Sequence, residues 1–236
     1  MKTVGLIGGM SWESTVPYYQ TINRVVGARL GALHSAKLAL YSVDFHEIEQ
    51  LQHAGRWAES GEKLADAARA VQRAGADFLV LCTNTMHKVA PQIEAAVEIP
   101  LLHIADPTAA RVKEARLTCV GLLGTRFTME EDFYRGRLES RHGLAVLTPP
   151  AEERATVHRV IYGELCLGRV EDRSRSAFQQ VVDGLVARGA EGVILGCTEI
   201  GLLLRPADAT VPLFDTATIH AEAAAEYALH DESRRG

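Results

Sequence analysis

The chain has 236 residues, 47% of them hydrophobic and 23% charged, with a formal net charge of −5 at pH 7. That is enough apolar material for one large domain or two small lobes, and the acidic balance speaks against nucleic acid as a partner, because phosphate binding needs a basic face. No apolar run is long enough to span a bilayer and no signal-type stretch follows Met1, so a soluble cytoplasmic protein with no membrane partner is expected.

Short apolar runs alternate with helical patterns along the whole chain. Val4–Ile7 reads as a strand, and Pro17–Leu30 as a helix with Ile22, Val25, Val26 and Leu30 at helical spacing. A second helix is expected over 61–74, with Leu64, Ala67, Ala68 and Val71 on one face and Gly75 at its C-cap. Phe78–Leu81 is a continuous apolar run of the kind found in buried parallel strands. Pro100–Ile104, Thr118–Leu123, Leu144–Leu147, Val193–Leu195 and Pro212–Phe214 are further strand candidates, with helices expected near 129–141, 152–167, 174–188 and 217–229. The alternation predicts an α/β protein of parallel strands and crossover helices.

The pattern repeats. Val4-Gly5-Leu6-Ile7-Gly8-Gly9 matches Val120-Gly121-Leu122-Leu123-Gly124-Thr125, and Tyr18 matches Tyr134. Arg73-Ala74-Gly75-Ala76-Asp77 resembles Ala187-Arg188-Gly189-Ala190-Glu191, Cys82-Thr83 matches Cys197-Thr198, and Pro100-Leu101-Leu102 matches Pro212-Leu213-Phe214. Landmarks that recur in one order at nearly one offset predict two similar α/β lobes. Residues 1–105 form the first and 106–214 the second, with no flexible linker between them.

Four cysteines are present, Cys82, Cys119, Cys166 and Cys197, and none lies in a C-x-x-C pair. In a reducing compartment disulfides are not expected, and the nine histidines form no metal-type cluster. Any one cysteine is most often a small buried apolar residue, and Cys119, inside a strand, is expected in the core. Cys82 and Cys197 differ, because each follows a buried strand as Cys-Thr at equivalent points of the repeat, and ligands bind outside the carboxyl ends of parallel strands. Facing lobes would place both thiols in one cleft. Racemisation fits such a pair: one group takes a proton from one face of a carbon and the other returns it on the opposite face. A helix beginning just after each cysteine would stabilise a thiolate or hold a substrate carboxylate. Thr83, Asn84, Thr85 and Thr198 offer polar donors, or caps. Gly8 and Gly9 allow close backbone approach to a ligand, Ser11 or Ser14 caps the helix that follows, and Thr125 and Thr128 are candidate carboxylate donors. The loop is neither G-x-G-x-x-G nor a Walker A loop, so no nucleotide is expected. His87, Glu199 and Tyr162 either tune the thiols or pack.

GLIGGMSWEST at 5–15, SVDFHEIE at 42–49, LCTNTMHK at 81–88, GTRFTME at 124–130 and GCTEIGLL at 196–203 resemble the aspartate/glutamate racemase superfamily, and most of all its bacterial broad-specificity and aspartate/glutamate branch. The resemblance implies two pseudo-symmetric α/β lobes with the active site in the cleft between them and a C-terminal helix, 215–236, crossing back to the first lobe. It also implies a homodimer and no pyridoxal phosphate, other cofactor or metal. Cys82 and Cys197 fall on the family's catalytic pair, Cys197 serving the L-enantiomer and Cys82 the D-enantiomer. Met10, Asn84, Thr85, Thr125 and Thr198 fall on positions around the substrate's α-carboxylate and amino group.

One departure bears on specificity. Aspartate-specific members carry a lysine where Ile161-Tyr162-Gly163-Glu164-Leu165-Cys166 ends in Cys166, and an arginine near Phe45–Ile48 that is missing here. A buried carboxylate without a cation is costly. The expected substrate is therefore a neutral or hydroxylated amino acid such as homoserine, unless Arg126 supplies the cation. The alternatives are an aspartate/glutamate racemase proper, a hydantoin racemase, a maleate isomerase, or a metabolite-binding protein without catalysis.

Overall fold

In the computed structural model, which describes residues 1–230, the chain begins with β1 (Val4–Gly8), α1 (Trp12–Leu30), β2 (Leu38–Ser42), α2 (Phe45–His53) and α3 (Trp57–Arg73). It continues through β3 (Phe78–Leu81), a 3-10 turn (Thr85–Val89), α4 (Ala90–Ala95) and β4 (Leu101–Leu102). All four strands pair in parallel in the order β2-β1-β3-β4. Every residue of β1 and β3 is buried, which is why both read as unbroken apolar runs. β2 lies on the edge and exposes Leu40 and Tyr41. It shows neither a buried run nor a clean alternation, and the sequence reading places no strand there.

The second sheet is built the same way. α5 (Ala105–Glu114), β5 (Cys119–Gly124), α6 (Arg126–Glu130), α7 (Asp132–His142), β6 (Ala145–Leu147) and α8 (Ala151–Gly163) lead to a 3-10 turn over Leu165–Leu167. Then come α9 (Asp172–Ala187), β7 (Gly192–Gly196), α10 (Ile200–Leu203), β8 (Leu213–Asp215) and α11 (Thr216–Leu229). Its parallel order is β6-β5-β7-β8. The fold is therefore α/β, two four-stranded parallel sheets flanked by helices.

By contacts the chain forms two units. The first is Met1–Ile104 together with the chain from His220 onward, and the second is Ala105–Ile219. In the first unit α3 lays Leu64, Ala67, Ala68 and Val71 against Ile7, Leu79 and Leu81 of the sheet, as the helical spacing predicts. The part of α11 that belongs to this unit is held by His220 Nδ1 at 2.9 Å from the Tyr18 hydroxyl. Phe78 and Tyr227 stack edge to face, and Lys2 N–H donates to the Ala228 carbonyl at 2.9 Å. The expected helix over 215–236 is seen as Thr216–Leu229, and residues 231–236 lie outside the described residues.

Two further details differ from the sequence reading. The helix expected over 152–167 stops at Gly163, where glycine weakens the helix and the Glu164 carboxylate accepts a 2.5 Å bond from the Ser174 hydroxyl at the start of α9. Cys119 is half-buried rather than in the core, because it opens β5 at the strand's exposed end. Gly8 and Gly9 are needed for contacts inside the protein. A Cβ on Gly8 would sit 2.3 Å from Thr15 Cγ2, and Gly9, at φ +91°, would place one 2.3 Å from the Val43 carbonyl.

Gly5 marks where α3 approaches the sheet: a Cβ there would lie 2.3 Å from Val71 Cγ1 and 2.9 Å from the Phe78 carbonyl. Gly5→Ala is expected to lower the unfolding free energy by about 1–3 kcal/mol through overpacking. The check is urea unfolding, with the midpoint falling and the slope unchanged.

Candidate active site

β1 and β3 are neighbours, so their carboxyl ends bring together the loop after Gly8 and the turn after Leu81. Cys82 extends the ladder by one rung, its N–H donating to the Ile7 carbonyl at 2.9 Å. The chain then turns sharply, with Thr83 N–H donating back to the Leu81 carbonyl at 2.8 Å. The Cys82 thiol is fully buried and its sulfur lies 3.8 Å from the Val80 carbonyl. Thr83, Asn84 and Thr85 are all buried in this turn. Met10 is buried too, its side chain part of the apolar cluster with Ile7, Ile48 and Met86. In the preceding loop Ser11 stands at the N-cap of α1 without a side-chain capping bond. Gly9 N–H instead donates to Thr15 Oγ1 at 2.9 Å, and the Ser14 and Thr15 hydroxyls donate to the Ser11 carbonyl.

The second sheet repeats this with different chemistry. Gly124 and Gly196 are register partners at the ends of β5 and β7. Thr125 caps α6, its hydroxyl accepting from Thr128 N–H at 3.3 Å and lying 3.2 Å from Thr128 Oγ1. These two threonines are therefore ordinary capping partners whatever else they hold. Across from them, the Cys197 thiol donates to Glu199 Oε2 at 3.0 Å, and the Thr198 hydroxyl donates to the same oxygen at 2.8 Å. Cys197, Thr198 and Glu199 are all buried. A carboxylate, Glu199, thus contacts the thiol on the Cys197 side.

Burial governs both thiols. It pushes the Cys82 thiol far above the ordinary thiol range. Burial likewise raises Cys197, and the negative charge of Glu199 and the neighbouring Cys166 raise it further. Burial thus works against the thiolate that a following helix would favour. Those helices are the 3-10 stretch Thr85–Val89, which runs directly into α4, and the four-residue α10.

The remaining candidates lie in the second unit. Tyr162 is half-buried, packed on the apolar cluster that contains Cys197, and its ring centroid is 4.9 Å from that of His158. Cys166 packs on the same cluster. Burial and the Glu199 carboxylate push its thiol up as well. Arg126 is exposed, with its guanidinium 5.6 Å from the Phe127 ring centroid. The sequence reading did not single out His158, whose Nδ1 accepts from Arg126 N–H at 3.2 Å. The signal was its position one helical turn before Tyr162, on the same face of α8. Among the described residues no three His, Cys, Asp or Glu side chains are placed to hold a metal. No described helix is long and apolar enough to cross a membrane.

A profile of the Asp/Glu/hydantoin racemase family matches residues 7–224. The broad-specificity amino-acid racemase RacX of Bacillus subtilis (strain 168) is 23% identical over 219 residues, covering 91% of this chain and 92% of that protein. A crystal structure from Yersinia pestis, provisionally described as an Asp/Glu racemase, is 58% identical with a TM-score of 0.90 over 97% of this chain and all of that one. An aspartate racemase homologue from Pyrococcus horikoshii OT3 is 34% identical with a TM-score of 0.82, over 97% of this chain and 99% of that one.

The Glu199 contact has a measurable sign. Its carboxylate disfavours the Cys197 thiolate, so Glu199→Gln lowers that thiol's pKa and raises the thiolate fraction at any pH below it. Alkylation of Cys197 at pH 8, followed by mass spectrometry, is expected to accelerate on the order of tenfold, with Cys82 unchanged.

Proposed function

Because the chain belongs to the Asp/Glu/hydantoin racemase family, we propose that it is a cofactor-independent amino-acid racemase in which Cys82 and Cys197 act in turn as base and acid. The observation that carries this reading is the recurrence of Cys-Thr at the carboxyl ends of β3 and β7, equivalent strands of two sheets with one strand order. Core cysteines have no reason to recur at matched strand ends. Inverting a carbon needs a proton acceptor on one face and a donor on the other, and two thiols serve as both.

The raised thiols fit the difficulty of the step. An amino-acid Cα–H is a weak acid, and a desolvated thiolate is a stronger base than a solvated one. Burial keeps both protons on the free enzyme. An incoming ammonium group favours loss of one of them to solvent by placing a positive charge beside the sulfur. The thiolate then takes the Cα proton, and the opposite thiol returns one. We assign the α-carboxylate and ammonium to the polar groups of Thr83, Asn84, Thr85, Thr125, Thr128 and Thr198 and to the backbone around Met10, with Glu199 setting the proton affinity of Cys197. Cys197 is assigned to the L-enantiomer and Cys82 to the D-enantiomer.

For specificity, we favour a broad range that prefers neutral or hydroxylated side chains such as that of homoserine. Cys166 offers no positive charge, and Arg126, the substitute cation, is exposed. The Bacillus subtilis relative named as broad-specificity supports this choice. Aspartate or glutamate is the second reading, supported by the aspartate racemase homologue from Pyrococcus horikoshii. We place the enzyme in the cytoplasm as a homodimer, a state supported by Trp12, Val16 and Tyr19. They stand at i, i+4 and i+7 on α1 and are 62%, 44% and 54% exposed.

The test is Cα proton exchange in D2O, followed by NMR over a panel of L- and D-amino acids without added cofactor. Exchange with accumulation of the opposite enantiomer is expected, fastest for neutral and hydroxylated side chains. Exchange confined to aspartate and glutamate would select the second reading. No exchange with any amino acid, in protein with both thiols reduced, would turn the assignment to hydantoins, maleate or binding alone. Cys82→Ala and Cys197→Ala are each expected to lower racemisation by about a hundredfold or more, and full activity in both variants would sink the two-thiol mechanism.

A further inference from the structure

We propose that His87 is the positioning residue of the Cys82 half-site, holding in one fixed tautomer the turn that aims the thiol. This rests on the reading of Cys82 as an acid–base group. His87 is buried in the 3-10 turn after Cys82. Its Nδ1 lies 2.7 Å from the Thr83 carbonyl oxygen. A carbonyl only accepts, so Nδ1 carries the proton. Nε2 is then the lone-pair nitrogen, and it accepts the Ile104 N–H at 3.2 Å. One neutral imidazole therefore joins the turn after β3 to the segment after β4.

The consequence for Cys82 is geometric. Thr83 has its N–H committed to the Leu81 carbonyl and its own carbonyl committed to His87. With the Cys82 N–H on the Ile7 carbonyl, the peptide groups on both sides of the thiol are fixed in direction. The His103 ring stands edge-on to His87, 4.4 Å between centroids, and backs it from the β4 side. The second sheet differs at this point: the repeat offset of 115 places Leu202 at the position of His87, and the Glu199 carboxylate ties the Cys197 and Thr198 side chains. His87 holds backbone where Glu199 holds side chains.

Two substitutions separate the two bonds. In His87→Asn the amide nitrogen takes the place of Nδ1 and keeps the bond to Thr83. In His87→Gln the amide oxygen reaches the place of Nε2 and keeps only the bond from Ile104, while His87→Leu keeps neither. Turnover is expected to stay within about threefold of wild type in His87→Asn and to fall by about tenfold or more in His87→Gln and His87→Leu, with KM changed far less. The readout that packing damage does not mimic is directional. With Cα-deuterated substrates the isotope effect should rise for the enantiomer deprotonated by Cys82 and not for the other. Alkylation of Cys82, but not of Cys197, should also accelerate in His87→Gln and His87→Leu. Equal loss in all three variants, isotope effects that change alike in both directions, or undiminished turnover in His87→Gln would overturn the proposal. If the wild-type enzyme racemises nothing, the functional reading fails by itself. The alkylation pattern then still decides whether His87 positions Cys82.

Discussion

The bond from Cys82 N–H to the Ile7 carbonyl is the last rung of the ladder between β1 and β3, and the candidate site depends on it. A parallel strand buried on both faces can release its chain only at its ends. The residue just past the last rung is therefore the first one free to turn away while still rigidly placed. In the second sheet the same constraint is tighter. A Cβ on Gly196 would lie 2.8 Å from the Leu123 carbonyl, and one on Gly124 would lie 2.7 Å from the Gly196 carbonyl. Backbone touches backbone there, and the cysteine is the first position at which a side chain fits. The helices behind the sheets obey the same geometry: Gly5 admits Val71 of α3, and Gly121, its counterpart, admits Leu185 of α9.

Within this shared frame the two thiols are not held alike. Cys82 faces a backbone carbonyl 3.8 Å away, while Cys197 donates to a buried carboxylate. Asn84 and Glu199 stand at matching places of the repeat, so one exchanged side chain accounts for much of the difference. Two bases that see different charges differ in proton affinity. The repeat therefore doubles the position of the thiol without doubling its surroundings.

Much of this was legible in the sequence because the central strands are short, apolar and repeated. The runs at 4–7, 78–81 and 193–195, and the doubling of Cys-Thr behind two of them, needed no tertiary information. β2 was not legible, since an edge strand with Leu40 and Tyr41 in solvent carries no burial signal. Nor was the state of the thiols. A helix after each cysteine suggested lowered pKa values, but the completeness of burial is a tertiary fact, and it pushes the other way. The close contacts that call for glycine at 8 and 9, to Thr15 and Val43, are likewise tertiary facts. The bonds that fix His87 join the turn at 83–87 to residue 104 after the next strand, a relation that periodicity and local motifs cannot express.

The first unit is assembled from both ends of the chain, whereas the second is a single uninterrupted stretch, Ala105–Ile219. Closing the first unit requires contacts such as Tyr18 with His220, separated by 202 residues. During synthesis the N-terminal end emerges first. The sheet of β1 to β4 therefore lacks the partners that α11 gives Phe78 and Tyr18 until that helix has been made, while the second unit has all its residues earlier. Contacts of such long range are also slow to form. The opening segment of this protein is thus completed by a helix that lies about two hundred residues further along the chain.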